Sequence, residues 1–262
     1  FMTPEGGWIY VSNSEGNNGL GGVGAIEFNA DADLIDAFSL LEGTTKNCAG
    51  GPTPWNTWLS CEEYAGGMVW ECFPMERGNR AATRRDALGV FQHEAAAVDP
   101  STSIVYLTED QINGCLYRFI PDDPRDLSSG RLQAAVVDNV DSQQRALEGM
   151  VRWVDVPDPS AATETTRAQA QQSGASQFVR GEGAWFHAGV LYVATTGNTG
   201  LVWAYAPDQE GNTGVLTQIY NRTDLFPDDS SLNGIDNITV TAGGDVVIAE
   251  DFDDMQMQAL TP

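Results

Sequence analysis

The sequence predicts an all-β fold, a six-bladed β-propeller, on three observations. Short apolar runs are cut by turn residues, the runs pair into hairpins, and a looser repeat sits above the hairpins. Trp8–Asn13 is followed after a glycine-rich turn by Val23–Phe28, Ile104–Thr108 by Gly114–Phe119, and Val190–Thr195 by Gly200–Tyr205 and Leu216–Tyr220, with Val246–Ala249 ending the series. Runs of four to seven β-branched and aromatic residues between Gly, Asp, Asn and Pro read as antiparallel hairpins. Above them, Glu94–Val98 returning as Val105–Leu107 has the shape of Glu182–Phe186 returning as Leu191–Val193, and of Asp236–Val240 returning as Val246–Ile248. In each unit an acid opens an inner strand and a second strand comes back after a tight turn. Four-stranded units at roughly 40–50 residues are the mark of a propeller, and this length then holds about six. A β-sandwich accounts for neither the repeated acid nor the aromatic hairpins. The chain, 1–262, reads as one domain, with a Pro/Ser/Thr/Ala/Gln-rich surface insertion, helical or mobile, expected at 157–176, where Thr163–Ser173 has good helix formers and few apolar anchors.

Composition narrows the chemistry. Thirteen Lys+Arg against 37 Asp+Glu leave a formal net charge of −24, and Lys46 is the only lysine. Such a surface repels nucleic acid and anionic lipid and concentrates cations. No apolar run approaches the ~20 residues that span a bilayer, so no membrane insertion is expected. The first residues lack the basic and apolar regions of an export signal. Four cysteines make no zinc-finger pairs, although Cys61 and Cys72 flank a Gly-Gly turn and could face each other across a hairpin. His93 and His187 enter no Ser/His/Asp or HExxH pattern, and the glycine-rich turns precede no phosphate-loop Lys-Ser/Thr.

A propeller gathers inner-strand side chains on one axis, so acids remote in sequence converge. The candidates are Glu15, Glu62, Glu63, Glu94, Glu109, Asp110, Glu182, Asp236, Glu250 and Asp251. Crowded carboxylates raise one another's pKa unless a cation sits among them, and oxygen-rich clusters suit calcium or magnesium. Cys48, read as part of a glycine-rich loop, would add a thiolate for a softer or redox-active metal such as iron or zinc. Arg180, two residues before Glu182, is either a clamp for an anion such as phosphate or an internal partner of that glutamate.

The run Asn47-Cys48-Ala49-Gly50-Gly51-Pro52-Thr53-Pro54-Trp55-Asn56-Thr57-Trp58-Leu59-Ser60-Cys61-Glu62-Glu63 resembles the hallmark of the PhoX-type alkaline phosphatases. Phe91–Glu94, Tyr106–Asp110, Gly114–Phe119, Arg180–Gly183, Asp236-Asn237 and Glu250-Asp251 follow in family order. The resemblance implies a propeller whose channel holds ferric iron and calcium and hydrolyses small phosphate esters. By it, Cys48 is the iron-binding cysteine; Glu94, Glu182 and an acid of Glu250-Asp251 are carboxylate ligands, with Glu62 or Glu63 a further one. Arg180 holds the substrate phosphate. Asn13, as a substrate-binding residue, and Glu15, as a metal ligand, match the family's Asn-His-Glu site more loosely, Ser14 replacing the histidine. The resemblance also implies a secreted or periplasmic protein, with flanking segments or a partner chain completing the propeller. Two other readings are a calcium-stabilised propeller serving as a binding module and a calcium-dependent lactonase-like hydrolase.

Overall fold

A computed structural model describes residues 1–76, 82–197, 200–221, 232, 234–251 and 255–261. The strands form five antiparallel meanders. The first holds β1 (Trp8–Ser14), β2 (Gly21–Phe28) and β3 (Leu34–Thr44). The second holds β4 (Asn47–Pro52), β5 (Trp58–Glu62), β6 (Val69–Cys72) and β7 (Ala82–Arg84). β8 (His93–Val98), β9 (Val105–Glu109), β10 (Leu116–Pro121) and β11 (Gly130–Val137) make the third. The fourth holds β13 (Gly181–His187), β14 (Val190–Thr195), β15 (Leu201–Pro207) and β16 (Thr213–Asn221). β17 (Ile235–Val240), β18 (Val246–Glu250) and β19 (Met257–Leu260) make the fifth. At the rim, β12 (Gly149–Asp155) pairs with both β11 and β16 and fuses the third and fourth units into one nine-stranded sheet.

The core lies between facing sheets. Leu59, Leu107, Tyr117 and Phe119 fill the space between the second and third units. Tyr106 stacks on Phe186 at 5.9 Å, with Trp203 and Tyr205 alongside, between the third and fourth. Val202, Tyr220, Ile238 and Ile248 join the fourth to the fifth. Each aromatic of this size removes on the order of 150–250 Å² from water, enough to hold facing units together.

The inner strands approach each other closely because their residues are small. Cys48 lies on strand β4 and not in a loop, and the glycines that suggested a loop are what let β4 pack. A Cβ on Gly51 would stand 2.0 Å from the Ala96 carbonyl oxygen of β8, and one on Gly183 would stand 2.5 Å from the Ile238 amide nitrogen of β17. Gly51→Ala is therefore expected to cost about 3 kcal/mol, read as a lower denaturant midpoint. Gly24→Ala on β2, where a Cβ meets nothing within 4 Å, should stay within ~0.5 kcal/mol.

Residues 157–176 contain helix α1 (Thr166–Gln172), started by the Thr165 hydroxyl accepting from the Ala168 amide. Its Ala170 is fully buried and its Arg167 Nη1 lies 2.8 Å from Glu109 Oε1, so the helix is anchored on β9. The suggested Cys61–Cys72 pairing does not occur. Cys61 sits opposite Val69 and Cys72 opposite Trp58, and all four cysteines are free thiols. No helix among the described residues is long and apolar enough to cross a membrane.

Candidate metal and phosphate site

The first strands of the second to fifth units repeat one irregularity. Asn47 to Gly50 on β4 spans three steps while its partners, Glu62 to Ser60, span two. The same extra residue occurs between His93 and Ala96 on β8, Gly181 and Ala184 on β13, and Ile235 and Ile238 on β17. Such bulges re-aim side chains, and the second residue of each strand is the one affected. Those residues are Cys48, Glu94, Glu182 and Asp236. Carboxylate oxygens of Glu94, Glu182 and Asp236 all lie within 4.8 Å of one another, and Cys48 lies next to Glu94. Three of these strands thus deliver one carboxylate each to a single point, and β4 places Cys48 beside Glu94.

A second repeat explains the paired acids. The second strand of the second to fifth units ends in a residue that clamps the following hairpin. Glu62 accepts from the Met68 amide at 3.3 Å and Trp70 Nε1 at 3.1 Å, six and eight residues on. Glu109 accepts from the Cys115 amide and the Tyr117 hydroxyl at the same spacing. Glu250 accepts from the Gln256 amide, and Thr195 takes the Trp203 indole N–H. The next residue (Glu63, Asp110, Thr196 or Asp251) donates its amide to the carbonyl just before the inner strand, at Lys46, Gln92, Arg180 or Gly234 respectively. Glu62 and Glu250 are thereby committed to backbone and indole N–H groups, while their neighbours Glu63 and Asp251 stand at the site.

Glu63, Glu15 and Cys48 form a second group within 4.8 Å, with Lys46 Nζ 3.4 Å from Glu63. Asn13 straps β1 to β4: its amide donates to the carbonyls of Cys48 (2.7 Å) and Ala49, and its oxygen accepts from Trp58 Nε1 and Ser60 Oγ. With all these groups in use, Asn13 orients the Cys48 backbone. Asp236, named among the convergent acids but not among the family-implied ligands, completes the main cluster. The histidines stand apart. His93 is buried, stacked on Phe91, bonded to the Gly89 carbonyl, and held neutral with its pKa driven down to about 3 by desolvation.

The electrostatics are those of a cation site. Burial, then the charge of Glu182, pushes Glu94 far above the carboxylate range. Burial and Asp110 lift Glu182 to about 8, and burial and Asp251 lift Asp236 to about 6. The Cys48 thiol is raised by burial and by Glu94, and Glu15 by burial and then Glu63. Each of these groups is uncomfortable as a bare anion, and a bound cation reverses that penalty. Hard oxygen donors with one sulfur beside them fit calcium together with a softer metal. Arg180 stands next to the cluster, in the left-handed backbone region at φ 54°, with Nη2 3.3 Å from Glu182 Oε1.

A family model described as alkaline phosphatase PhoX matches residues 17–262. The structure is similar to that of Pseudomonas fluorescens PhoX in complex with vanadate, a transition state analogue, with a TM-score of 0.77 at 16 % identity, covering 99 % of this chain and 76 % of that one. A putative 6-phosphogluconolactonase from Bacteroides uniformis aligns at a TM-score of 0.49 and 13 % identity over 98 % of this chain and 78 % of the other. No curated protein matches. With a match running from residue 17 to the last residue, the chain belongs to the alkaline phosphatase PhoX family.

Proposed function

We propose that the chain is a metal-dependent phosphomonoesterase acting on small phosphate esters, with calcium and ferric iron at the axial cluster. The observation that carries this reading is the fourfold bulge, which brings Glu94, Glu182 and Asp236 to one point beside Arg180 and Cys48 to the adjoining group with Glu15 and Glu63. Glu94, Glu182 and Asp236 would hold the harder cations, Cys48 the iron, and Glu15, Glu63 and Asp251 the outer positions. Such cations supply charge neutralisation at the phosphoryl oxygens and acidify the attacking water. The protein's own part is electrostatic and positional. Arg180 offers planar N–H donors to phosphoryl oxygens whose charge redistributes during in-line displacement. Thr196 Oγ1, 2.6 Å from Glu182 Oε1, fixes that carboxylate's rotamer.

The same reading places the protein in the periplasm or outside the cell. It also takes the ring to six blades, closed by further strands from flanking segments or a partner chain. Support comes from β1. Phe1 exchanges backbone hydrogen bonds with Ile9 on the edge away from β2, at 2.9 and 2.7 Å, where an inner strand would run. Beside that edge, a cleft of about 410 Å³ is bounded by Tyr10, Asn13, Trp185, Ile238 and Met257.

Elemental analysis followed by assay on a chromogenic phosphate ester tests the proposal. Iron with calcium, and hydrolysis abolished by chelator and restored by the metals, is the expected result. Calcium alone with no hydrolysis would instead mark a structural propeller.

A further inference from the structure

The guanidinium of Arg180 is held by its own unit only through Glu182, whose Oε1 lies 3.3 Å from Nη2. At the equivalent place in the second unit, Lys46 is paired with Glu63 of the same unit. In the fourth unit the residue corresponding to Glu63 is Thr196, which carries no charge and is already bonded to Glu182. Arg180 reaches instead to the preceding unit. Its Nε lies 2.8 Å from Asp110 Oδ1 and its Nη2 2.9 Å from Asp110 Oδ2, a bidentate pair across 70 residues of sequence. The backbone is tied to the same turn, since the Arg180 amide donates to the Gln111 carbonyl at 2.8 Å. That turn is in turn anchored, Gln111 donating to Gln92 and Gln92 to Glu63 at 2.9 Å. Nη1 has no hydrogen-bond partner among the described residues, and 44 % of the side chain is open to solvent.

We propose that Asp110 is a positioning residue that clamps one edge of the Arg180 guanidinium and so presents the other edge to the phosphoryl group of the substrate. A freely rotating arginine beside the acids of this site would fold onto them. The fork geometry of the Asp110 pair, together with the left-handed backbone at Arg180, limits this to the single 3.3 Å contact of Nη2 with Glu182 and fixes the plane of the donors. Asp110 occupies the place that Glu63 and Asp251 hold in their own units, and the arginine takes up both its carboxylate oxygens.

The proposal rests on the phosphatase reading, and the experiment separates the two. Asp110→Asn, Asp110→Glu, Arg180→Ala and the double variant Asp110→Asn/Arg180→Ala are compared with the wild-type chain, metal-loaded. The measurements are kcat and KM on a chromogenic phosphate ester, calorimetric binding of inorganic phosphate, metal content and melting temperature. Asp110→Asn keeps one acceptor but turns an NH₂ toward an N–H donor, so kcat/KM and phosphate affinity should each fall about tenfold with metals retained. Asp110→Glu should recover part of the loss. In the Arg180→Ala background the Asp110 substitution should have no further effect, because the group it positions is gone. Wild-type kinetics and phosphate affinity in Asp110→Asn overturn the proposal, as does an equal loss in both backgrounds. Loss of metal from Asp110→Asn overturns it too, since it would make Asp110 a ligand. A wild-type chain that neither hydrolyses the ester nor binds phosphate overturns the phosphatase reading, and the proposal falls with it.

Discussion

Arg180→Ala should lower kcat on a phosphate ester by about 10²–10³-fold, the loss typical of removing a preorganised donor from a developing oxyanion. Metal content and melting temperature should stay near wild type. Arg180 is an exposed side chain, and its partner Asp110, 12 % exposed, keeps the hydrogen bond of its own amide to the Gln92 carbonyl. Alanine occupies the left-handed backbone region at no greater cost than arginine, so φ 54° at this position adds no new strain. Removing a cation beside the acid cluster also makes the site more negative, which favours metal retention. Arg180→Lys should fall between, since a point charge replaces a planar fork. Single-turnover assay alongside elemental analysis decides the matter. An alanine variant with unchanged kcat, or one whose activity loss tracks metal loss, would remove Arg180 from phosphate handling.

The hairpins were legible because their outer faces alternate and their turns carry Gly, Asn and Asp. Trp8–Asn13, Val190–Thr195 and Val246–Ala249 fall within observed strands. Cys48 was misplaced for a physical reason: Asn47–Pro52 contains none of the β-branched residues that propensity rewards, because close approach to β5 and β8 leaves no room for a Cβ. Acids at strand openings pointed correctly to Glu94, Glu182 and Asp236 as convergent. What separates Glu63 from Glu62, or Asp251 from Glu250, is a hairpin clamp whose trace in sequence is a polar or aromatic residue eight positions on, at Trp70, Tyr117 and Trp203. That spacing is readable once known, but composition does not announce it. The Asp110–Arg180 pair is beyond local pattern altogether, since it depends on which unit packs against which.

Chelation should reverse the pH dependence of stability. In the metal-free chain Glu182 and Asp236 hold protons to about pH 8 and about pH 6, and Glu94 is raised as well. The unfolded chain releases the same protons near its ordinary carboxylate values, so folding binds protons. Groups raised in this way stabilise fully below pH ~4, and that contribution is lost as pH climbs to about 8. The three acids share one cluster and do not add, so a combined loss of about 3 kcal/mol is expected, roughly 6–12 °C in melting temperature for a chain of this size. Chelator-treated protein should therefore melt lower at pH 8 than at pH 5. Calcium with iron should restore the melting temperature at pH 8 and do little at pH 5, where protons compete for the same oxygens. Glu182→Gln keeps an acceptor for Thr196 while removing the charge, so it should flatten the slope of the chelated protein. Equal melting of chelated protein at pH 5 and pH 8, or a slope untouched by Glu182→Gln, would mean that these carboxylates are solvated apart from one another and cage no ion.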